Sequence, residues 1–484
     1  MRLTRPKEPR SVTTAPPGQP ERASDPRAPQ GWSPAAWTRK GEAHQFVYPD
    51  AQALSRAVTR LSLLPPLVTS WEIHRLRHEI AEAQEGRRFL LQGGDCAETL
   101  EECTSGVIAN KLKILIQMSL VLVHAGRKPV IRMGRFAGQY AKPRSAPNES
   151  RTVNGQEVEL PSYFGDLINA APFTPEARTP DPDRMIQGYQ HAALTLNFIR
   201  SLCDAGFADL HHPENWDLRF FQHAGLTPEL RIQYEAMSRD LAGALKFMEA
   251  LGERSVDALS RVTFFTSHEA LNLHYESALT RRVPRREGWF NLSTHMPWIG
   301  ERTRKLDGPH IEYFRGIENP VGIKIGPDID PVELLNLVDT LNPRNEPGKI
   351  VLITRLGAAN VARVLPPLVQ IVRSAGKRVL WICDPMHGNG ITTAHGVKTR
   401  SFDAILKDLE QSFDVHQRLG GPGLGGVHFE LTGEDVTECV GGACGLGEDD
   451  LSANYTSLCD PRLNYEQSME LAFLLAGRMR QAEG

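Results

Sequence analysis

Four short apolar runs in this chain each finish on residues able to bind a metal ion or a phosphate. They are Phe89-Leu90-Leu91-Gln92-Gly93-Gly94-Asp95-Cys96, Val321-Gly322-Ile323-Lys324-Ile325-Gly326-Pro327, Val379-Leu380-Trp381-Ile382-Cys383-Asp384-Pro385-Met386-His387 and Gly426-Val427-His428-Phe429-Glu430. Cys96, His387 and Glu430 would supply a thiolate, an imidazole and a carboxylate, a set that suits a borderline divalent ion such as Mn, Fe, Co or Zn. Asp460, in Cys459-Asp460-Pro461-Arg462, is a candidate fourth ligand. Each has a plainer reading when taken singly: the cysteine as a small buried hydrophobe, the glutamate as a helix cap or salt-bridge partner. Their recurrence at matched positions is what points to a metal.

Cations gather at the same places. Arg135, Lys142, Arg144, Arg302, Lys324 and Arg355 lie at or just past strand-like runs. Lys324 stands inside an apolar run, so its ammonium must be paired or face a ligand. Any one of these cations could pair with a core carboxylate, but together they exceed the acids nearby. Such a site suits substrates carrying two phosphates and a carboxylate, because arginine binds both groups through paired hydrogen bonds. His268-Glu269 resembles the start of an HExxH zinc helix, but the next histidine is His274, on a different helical face, so that site is rejected. Thr266 or Ser267 is the expected cap of this helix.

A strand with a reactive residue at its C-terminal end, repeated along a chain, is how a (β/α)8 barrel builds its site. Strands are expected near 89–93, 129–133, 206–210, 262–266, 321–325, 350–354, 378–383 and 426–430. Helical patterns fall between most of them, at Ile108–Ala125, Met185–Ala205, Pro228–Leu251 and Pro331–Leu341. Leu54, Val58, Leu61 and Leu64 recur at helical spacing until Pro65-Pro66 breaks the run, and Trp71 to Gln84 reads as a second helix. The fold class expected is therefore α/β, a (β/α)8 TIM barrel with an N-terminal helical extension. A doubly wound sheet would be favoured by a GxGxxG turn opening a helix. The glycine run 420–426 precedes a strand instead and reads as a plain loop. The boundaries read are an arm at 1–40, a helical extension at 41–86 and the catalytic barrel at 87–484. The arm is rich in Pro, Ala, Ser and Arg and too poor in large apolar residues to offset the entropy of ordering. The long Pro-rich stretch from 141 to 184 is expected to wall the site.

A chain of 484 residues, 40% hydrophobic and 23% charged with net charge −3, is ordinary for a globular enzyme and offers nucleic acid no global attraction. No apolar run approaches the roughly 18 residues that cross a bilayer, so no membrane partner is expected. Seven cysteines, an odd number and widely spread, form no disulfide framework and suggest a reducing cytoplasm.

At these residues the chain closely resembles the class II 3-deoxy-D-arabino-heptulosonate 7-phosphate (DAHP) synthases. The motifs that carry the resemblance begin with Leu91-Gln92-Gly93-Gly94-Asp95-Cys96-Ala97-Glu98, Gly138-Gln139-Tyr140-Ala141-Lys142-Pro143-Arg144-Ser145 and Trp298-Ile299-Gly300-Glu301-Arg302-Thr303. They continue with Asn319-Pro320-Val321-Gly322-Ile323-Lys324, Cys383-Asp384-Pro385-Met386-His387-Gly388-Asn389, Thr432-Gly433-Glu434-Asp435-Val436-Thr437-Glu438-Cys439 and Cys459-Asp460-Pro461-Arg462. The resemblance runs from about residue 50 to the C-terminus. It implies a metal held by Cys96, His387, Glu430 and Asp460, with Mn2+ or Co2+ ahead of Zn2+ or Fe2+. Phosphoenolpyruvate contacts would fall on Arg135, Glu301, Arg302, Lys324 and Arg355. Erythrose 4-phosphate would meet Lys142 near its reacting end, Arg144 and Ser145 at its phosphate, and Asp384 at its hydroxyls.

The implied reaction joins C3 of phosphoenolpyruvate to the aldehyde carbon, which the metal polarises as a Lewis acid, then adds water at C2 and expels phosphate by C–O cleavage. Lys142 is expected to protonate the new alkoxide and Glu301 to orient the water. With Cys459 beside the ligand Asp460, a disulfide to Cys96 is expected once the metal is lost and the protein oxidised. The alternatives keep the fold: a paralogue feeding secondary metabolism, with an amino analogue of erythrose 4-phosphate, or a regulatory platform for aromatic amino acid effectors or chorismate mutase. A homo-oligomer is expected.

Overall fold

The structure, a computed structural model, describes residue 29, residues 31–204, scattered positions between 228 and 243, and residues 263–483. Eight parallel strands close into a barrel: β1 (Phe89–Gly94), β2 (Val130–Arg135), β3 (Phe265–Glu269), β4 (Met296–Ile299), β5 (Val321–Ile325), β6 (Ile350–Thr354), β7 (Val379–Cys383) and β8 (Gly426–Glu430). They pair in chain order, and β1 closes the ring on β8 with Gly94 level with Glu430. Seven strands overlap the expected runs. The run expected at 206–210 lies outside the described residues. The strand of the ring that no expected run covers is Met296–Ile299, between β3 and β5, a run of four residues interrupted by Pro297.

Alternation along the strands decides what the barrel interior sees. Leu90, Ile131, Met133, Phe265, Met296, Trp298, Val351, Ile353, Leu380 and Ile382 form one buried cluster inside the ring. Continuing each strand by two residues from this inner set reaches Arg135, Ser267, Arg355 and Asp384, so the same parity that fills the lumen aims these side chains into its mouth.

The bottom of the ring is closed by the second of two N-terminal helices. α1 (Ala51–Leu63) starts on Asp50, whose carboxylate accepts from Gln52 and Ala53, and it stops short of Pro65-Pro66. α2 (Ser70–Gln84) opens with a Thr69/Glu72 capping box and inserts Leu76, Ile80 and Ala83 into the inner cluster. Each large side chain buried there stabilises the plug by about 1.5–3 kcal/mol.

The outer layer includes α3 (Ser105–Gly126), α4 (Asp183–Asp204), α5 (Pro331–Leu341), α6 (Val361–Ser374), α7 (Phe402–Leu419) and α8 (Tyr465–Glu483). α3 is long and apolar enough to cross a membrane by length and composition, contrary to the sequence reading. It is instead mostly buried, packed along α8 and against β1 and β2. The helix expected at Pro228–Leu251 lies mostly outside the described residues. His268 and Glu269 end a strand rather than start a helix. The following short helix, Leu273–Ala278, is capped by Asn272, so Thr266 and Ser267 cap nothing. The reason is parity: β3 needs the run through Glu269 to pair with β4, and Asn272 offers a free side-chain acceptor just beyond.

The stretch from 141 to 184 folds as an antiparallel hairpin, Asn148–Val153 with Gln156–Pro161, and a short helix, Pro175–Arg178. Within the segment read as an arm, residues 1–28 lie outside the described residues, whereas Trp32 and Trp37 are buried. α1 and α2 occupy the segment read as a helical extension.

Candidate active site

The four expected metal ligands converge at the C-terminal mouth. Donor atoms of Cys96, Glu430 and Asp460 lie within 4.8 Å of one another, and His387 Nε2 lies 3.0 Å from Glu430 Oε1. Cys96 follows β1, Glu430 ends β8, His387 sits four residues beyond β7 and Asp460 precedes α8. Gly94 has φ +141, and a Cβ there would stand 2.9 Å from Arg135 O, so only glycine lets the chain turn Cys96 inward beside β2. Lys142 Nζ contacts Cys96 Sγ and Asp460 Oδ2 and lies 3.7 Å from Glu430 Oε1. The donor set thus already gathers around a cation, and its sulfur, nitrogen and oxygen atoms fit a borderline divalent ion.

Asp384 prepares the imidazole. Its Oδ2 accepts from His387 Nδ1 at 2.7 Å and from Lys324 Nζ, while Oδ1 accepts the backbone N–H groups of Met386 at 3.0 Å and His387 at 3.2 Å. That tautomer leaves Nε2 free to face the other donors. Burial works to raise the Asp384 carboxyl, but His387 and Lys324 hold it well below the usual range. Glu430 is governed likewise: burial is outweighed by His387, Lys142, Arg400 and Arg135. Burial, and then a hydrogen bond to Cys459, push the Cys96 thiol up, whereas that bond brings Cys459 down to about 7. All seven cysteines are unpaired.

The expected cations fall into two groups. Arg135 and Lys324 are deep. Arg135 donates to Glu430 Oε1 at 3.0 Å and lies 2.6 Å from His428 Nε2, and Lys324 pairs with Asp384. Both stand over Trp298, at 5.2 Å and 5.9 Å from its ring. Burial lowers Lys324 to about 8 despite its partner. Arg144, Arg302 and Arg355 are shallower, and among the described residues they make no ion pair. Their contacts are Cys459 Sγ at 3.4 Å, Ser145 Oγ at 3.4 Å and His387 O at 2.9 Å. Three guanidinium groups without carboxylates, around a mouth already holding an ammonium, form an anion trap. Ser145 is exposed beside Arg302. Glu301 is drawn elsewhere: Oε1 accepts twice from Arg304, at 3.1 Å and 2.9 Å, and only Oε2 is left buried without a partner.

Residues 32–476 match the Class-II DAHP synthetase family. The chain belongs to that family. A phospho-2-dehydro-3-deoxyheptonate aldolase from Neurospora crassa is 47% identical over 472 residues, covering 94% of this chain and 96% of its own. A protein of the same name from Streptomyces coelicolor is 46% identical over 451 residues, covering 93% of this chain and 98% of its own. Near end-to-end similarity of this kind carries the class-II DAHP synthetase assignment across the barrel and the N-terminal helices together.

Three residues of this class-II site escaped the sequence reading. Arg400 is buried with a guanidinium nitrogen 2.7 Å from Glu430 Oε2, but it comes from a hairpin (Gly390–Thr392 with Lys398–Arg400) whose sequence carries no local signal. His428 sits in the quoted run, two residues before Glu430, so alternation alone could have placed it inward. Glu269 ends β3. Its Oε1 has no hydrogen-bond partner, a Cβ at Gly300 would collide with it, and burial raises its pKa against the pull of Lys142, Lys324, His387 and Arg135.

Proposed function

We propose that this mouth condenses phosphoenolpyruvate with D-erythrose 4-phosphate and water to give DAHP and phosphate, the entry step of the shikimate pathway. The observation that carries the reading is the meeting, in one mouth, of a mixed metal donor set with three guanidinium groups that make no ion pair among the described residues. A divalent ion on Cys96, His387, Glu430 and Asp460, Mn2+ or Co2+ ahead of Zn2+ or Fe2+ by the family resemblance, would polarise the aldehyde carbonyl.

The chain's own groups supply the rest. Arg135, Lys324, Arg302 and Arg355 hold the carboxylate and phosphate of phosphoenolpyruvate, and their charge stabilises the phosphate as it leaves. Arg144 and Ser145 hold the phosphate of the aldehyde substrate. C3 of the enol then attacks the aldehyde carbon, and Lys142 Nζ gives its proton to the new alkoxide. Water adds to the cationic C2 and loses a proton to a carboxylate. Glu301 Oε2 and Glu269 Oε1, both buried and without hydrogen-bond partners among the described residues, are candidate acceptors. The C2–O bond to phosphate then breaks as the C2 hydroxyl passes its proton to the departing phosphate, giving the ketone. Asp384 acts through His387 and Lys324 rather than directly on hydroxyl groups.

The seven free thiols support a reducing, cytoplasmic setting. The test is phosphate release from phosphoenolpyruvate, with and without erythrose 4-phosphate, in EDTA and after Mn2+ or Co2+ is restored. Release should require both the aldehyde and the metal. Folded protein that releases none with any metal refutes the reading.

A further inference from the structure

The segment just before α1 has no task in the account so far, yet it is firmly anchored. Trp32 Nε1 donates to Glu312 O at 2.7 Å, and its ring covers Gly316 so closely that a Cβ there would collide. Trp37 Nε1 donates to Ser277 Oγ at 2.7 Å. His44 Nε2 accepts the N–H of Leu273 at 3.0 Å, and Tyr48 Oη accepts from Asn272 Nδ2 at 2.9 Å. These contacts lay a strap across the barrel rim.

Gln45, within this strap, reaches the mouth. Its Nε2 donates to Arg144 O at 2.8 Å, and its Oε1 accepts the N–H of Arg144 at 2.9 Å. Both bonds serve the backbone of one residue, so the side-chain amide acts as a neighbouring β-strand would and holds Arg144 extended. On the other flank Lys142 N–H donates to Phe164 O at 2.9 Å, and Phe46 of the strap packs on Phe164 with ring centroids 5.5 Å apart. Gly165, at φ +100 with Tyr140 O too close for a Cβ, lets Phe164 come that near. A cavity of about 620 Å³ opens between strap and mouth, lined by Phe46, Pro143, Pro147, His274 and Arg302 among others.

We propose that Gln45 is a positioning residue for the aldehyde substrate. By fixing the backbone of Arg144 it sets where that guanidinium and the Ser145 hydroxyl meet the sugar phosphate. This rests on the reading of Arg144 and Ser145 as the groups that hold that phosphate. It also gives a segment outside the barrel a share in recognising the aldehyde substrate. The deep phosphoenolpyruvate cations owe nothing to the strap, since their contacts are with Glu430, Asp384 and Trp298.

The test is steady-state kinetics on the full chain with saturating metal. Gln45→Met keeps length and removes both hydrogen bonds. It should raise KM for erythrose 4-phosphate about five- to twentyfold, as expected for two lost hydrogen bonds of ordinary strength, and leave KM for phosphoenolpyruvate within about twofold. Gln45→Glu keeps the acceptor but sets a carboxylate against Arg144 O. Its ratio of KM to that of the parent should fall as pH drops and the carboxyl protonates, because the acid restores the donor. A structural role would instead lower the melting temperature and disturb both substrates alike, or leave the ratio independent of pH; either result overturns the proposal. Arg144→Ala separates the two layers of argument. An unchanged KM for erythrose 4-phosphate in Arg144→Ala overturns the phosphate assignment and this proposal with it. A raised KM there, with a parental value in Gln45→Met, overturns this proposal alone.

Discussion

Replacing Asp384 by Asn tests the central claim that the site is organised from behind its ligands. The carboxylate accepts from four donors: Lys324 Nζ, His387 Nδ1, and the backbone N–H groups of Met386 and His387. An amide has one accepting oxygen, so whichever way it is placed two donors face an NH2 group. Each donor left unsatisfied at a fully buried position costs about 1–3 kcal/mol. If the amide oxygen stays with the backbone, His387 loses the partner that fixes its tautomer and Lys324 loses its counter-ion. Metal affinity should then fall about 10–100-fold, the usual effect of losing the partner of a ligating histidine. The second readout is pH. Lys324 lies near 8 because burial lowers it while Asp384 raises it. Removing Asp384 lowers it further, so the ammonium is lost at a lower pH. The alkaline rise in KM for phosphoenolpyruvate should therefore begin at lower pH in the variant. The assays are Mn2+ titration of the metal-free protein by calorimetry and KM measured across pH 6.5–9, with circular dichroism confirming the fold. Parental metal affinity together with an unshifted alkaline limb would refute the reasoning.

Other outcomes follow from the same geometry. Cys96→Ala should abolish metal-dependent phosphate release with the fold intact, and a fully active variant would sink the ligand assignment. Oxidation of the metal-free protein with a mild thiol oxidant should join Cys96 to the neighbouring Cys459, and non-reducing peptide mapping would show the crosslink or its absence. Burial pushes the carboxyl of Asp408 up to about 7. Its folded pKa exceeds its unfolded value, so the stability it contributes is present at low pH and is lost as pH rises through about 7. Asp408→Asn keeps the shape without the charge, and its advantage over the parent in urea unfolding should grow by about 2 kcal/mol from pH 5 to pH 8. A constant difference across that range would show that the carboxyl titrates normally.

The strands and helices that could be read in advance were those with strong local signals. β6 is a nearly continuous apolar run and β5 one broken only by Lys324, α5 starts on Asp330 and Pro331, and α1 ends ahead of a Pro pair. β4 was missed because four residues containing a proline look like a loop, and only pairing with β3 and β5 makes them a strand. Three of the four expected metal donors, Cys96, His387 and Glu430, could be proposed in advance because each ends or follows a strand in a run of distinctive residues. Glu269 was misjudged with His268 as a helix start, because a His-Glu pair after Thr-Ser carries a local capping signal that β-pairing overrode.

By itself the sequence determined the alternation of strands and helices, the parity that sends Arg135 and Asp384 inward, and the family. These depend on periodicity and on unbroken motifs, which are properties of short stretches of chain. Only the tertiary structure decided the partners. Arg400 on Glu430, Lys324 on Asp384, and Gln45 on the backbone of Arg144 each join segments distant in the chain. No local pattern encodes such pairs, because barrel closure and the docking of the strap bring them together, and burial then makes each polar group find a partner or remain free for a substrate.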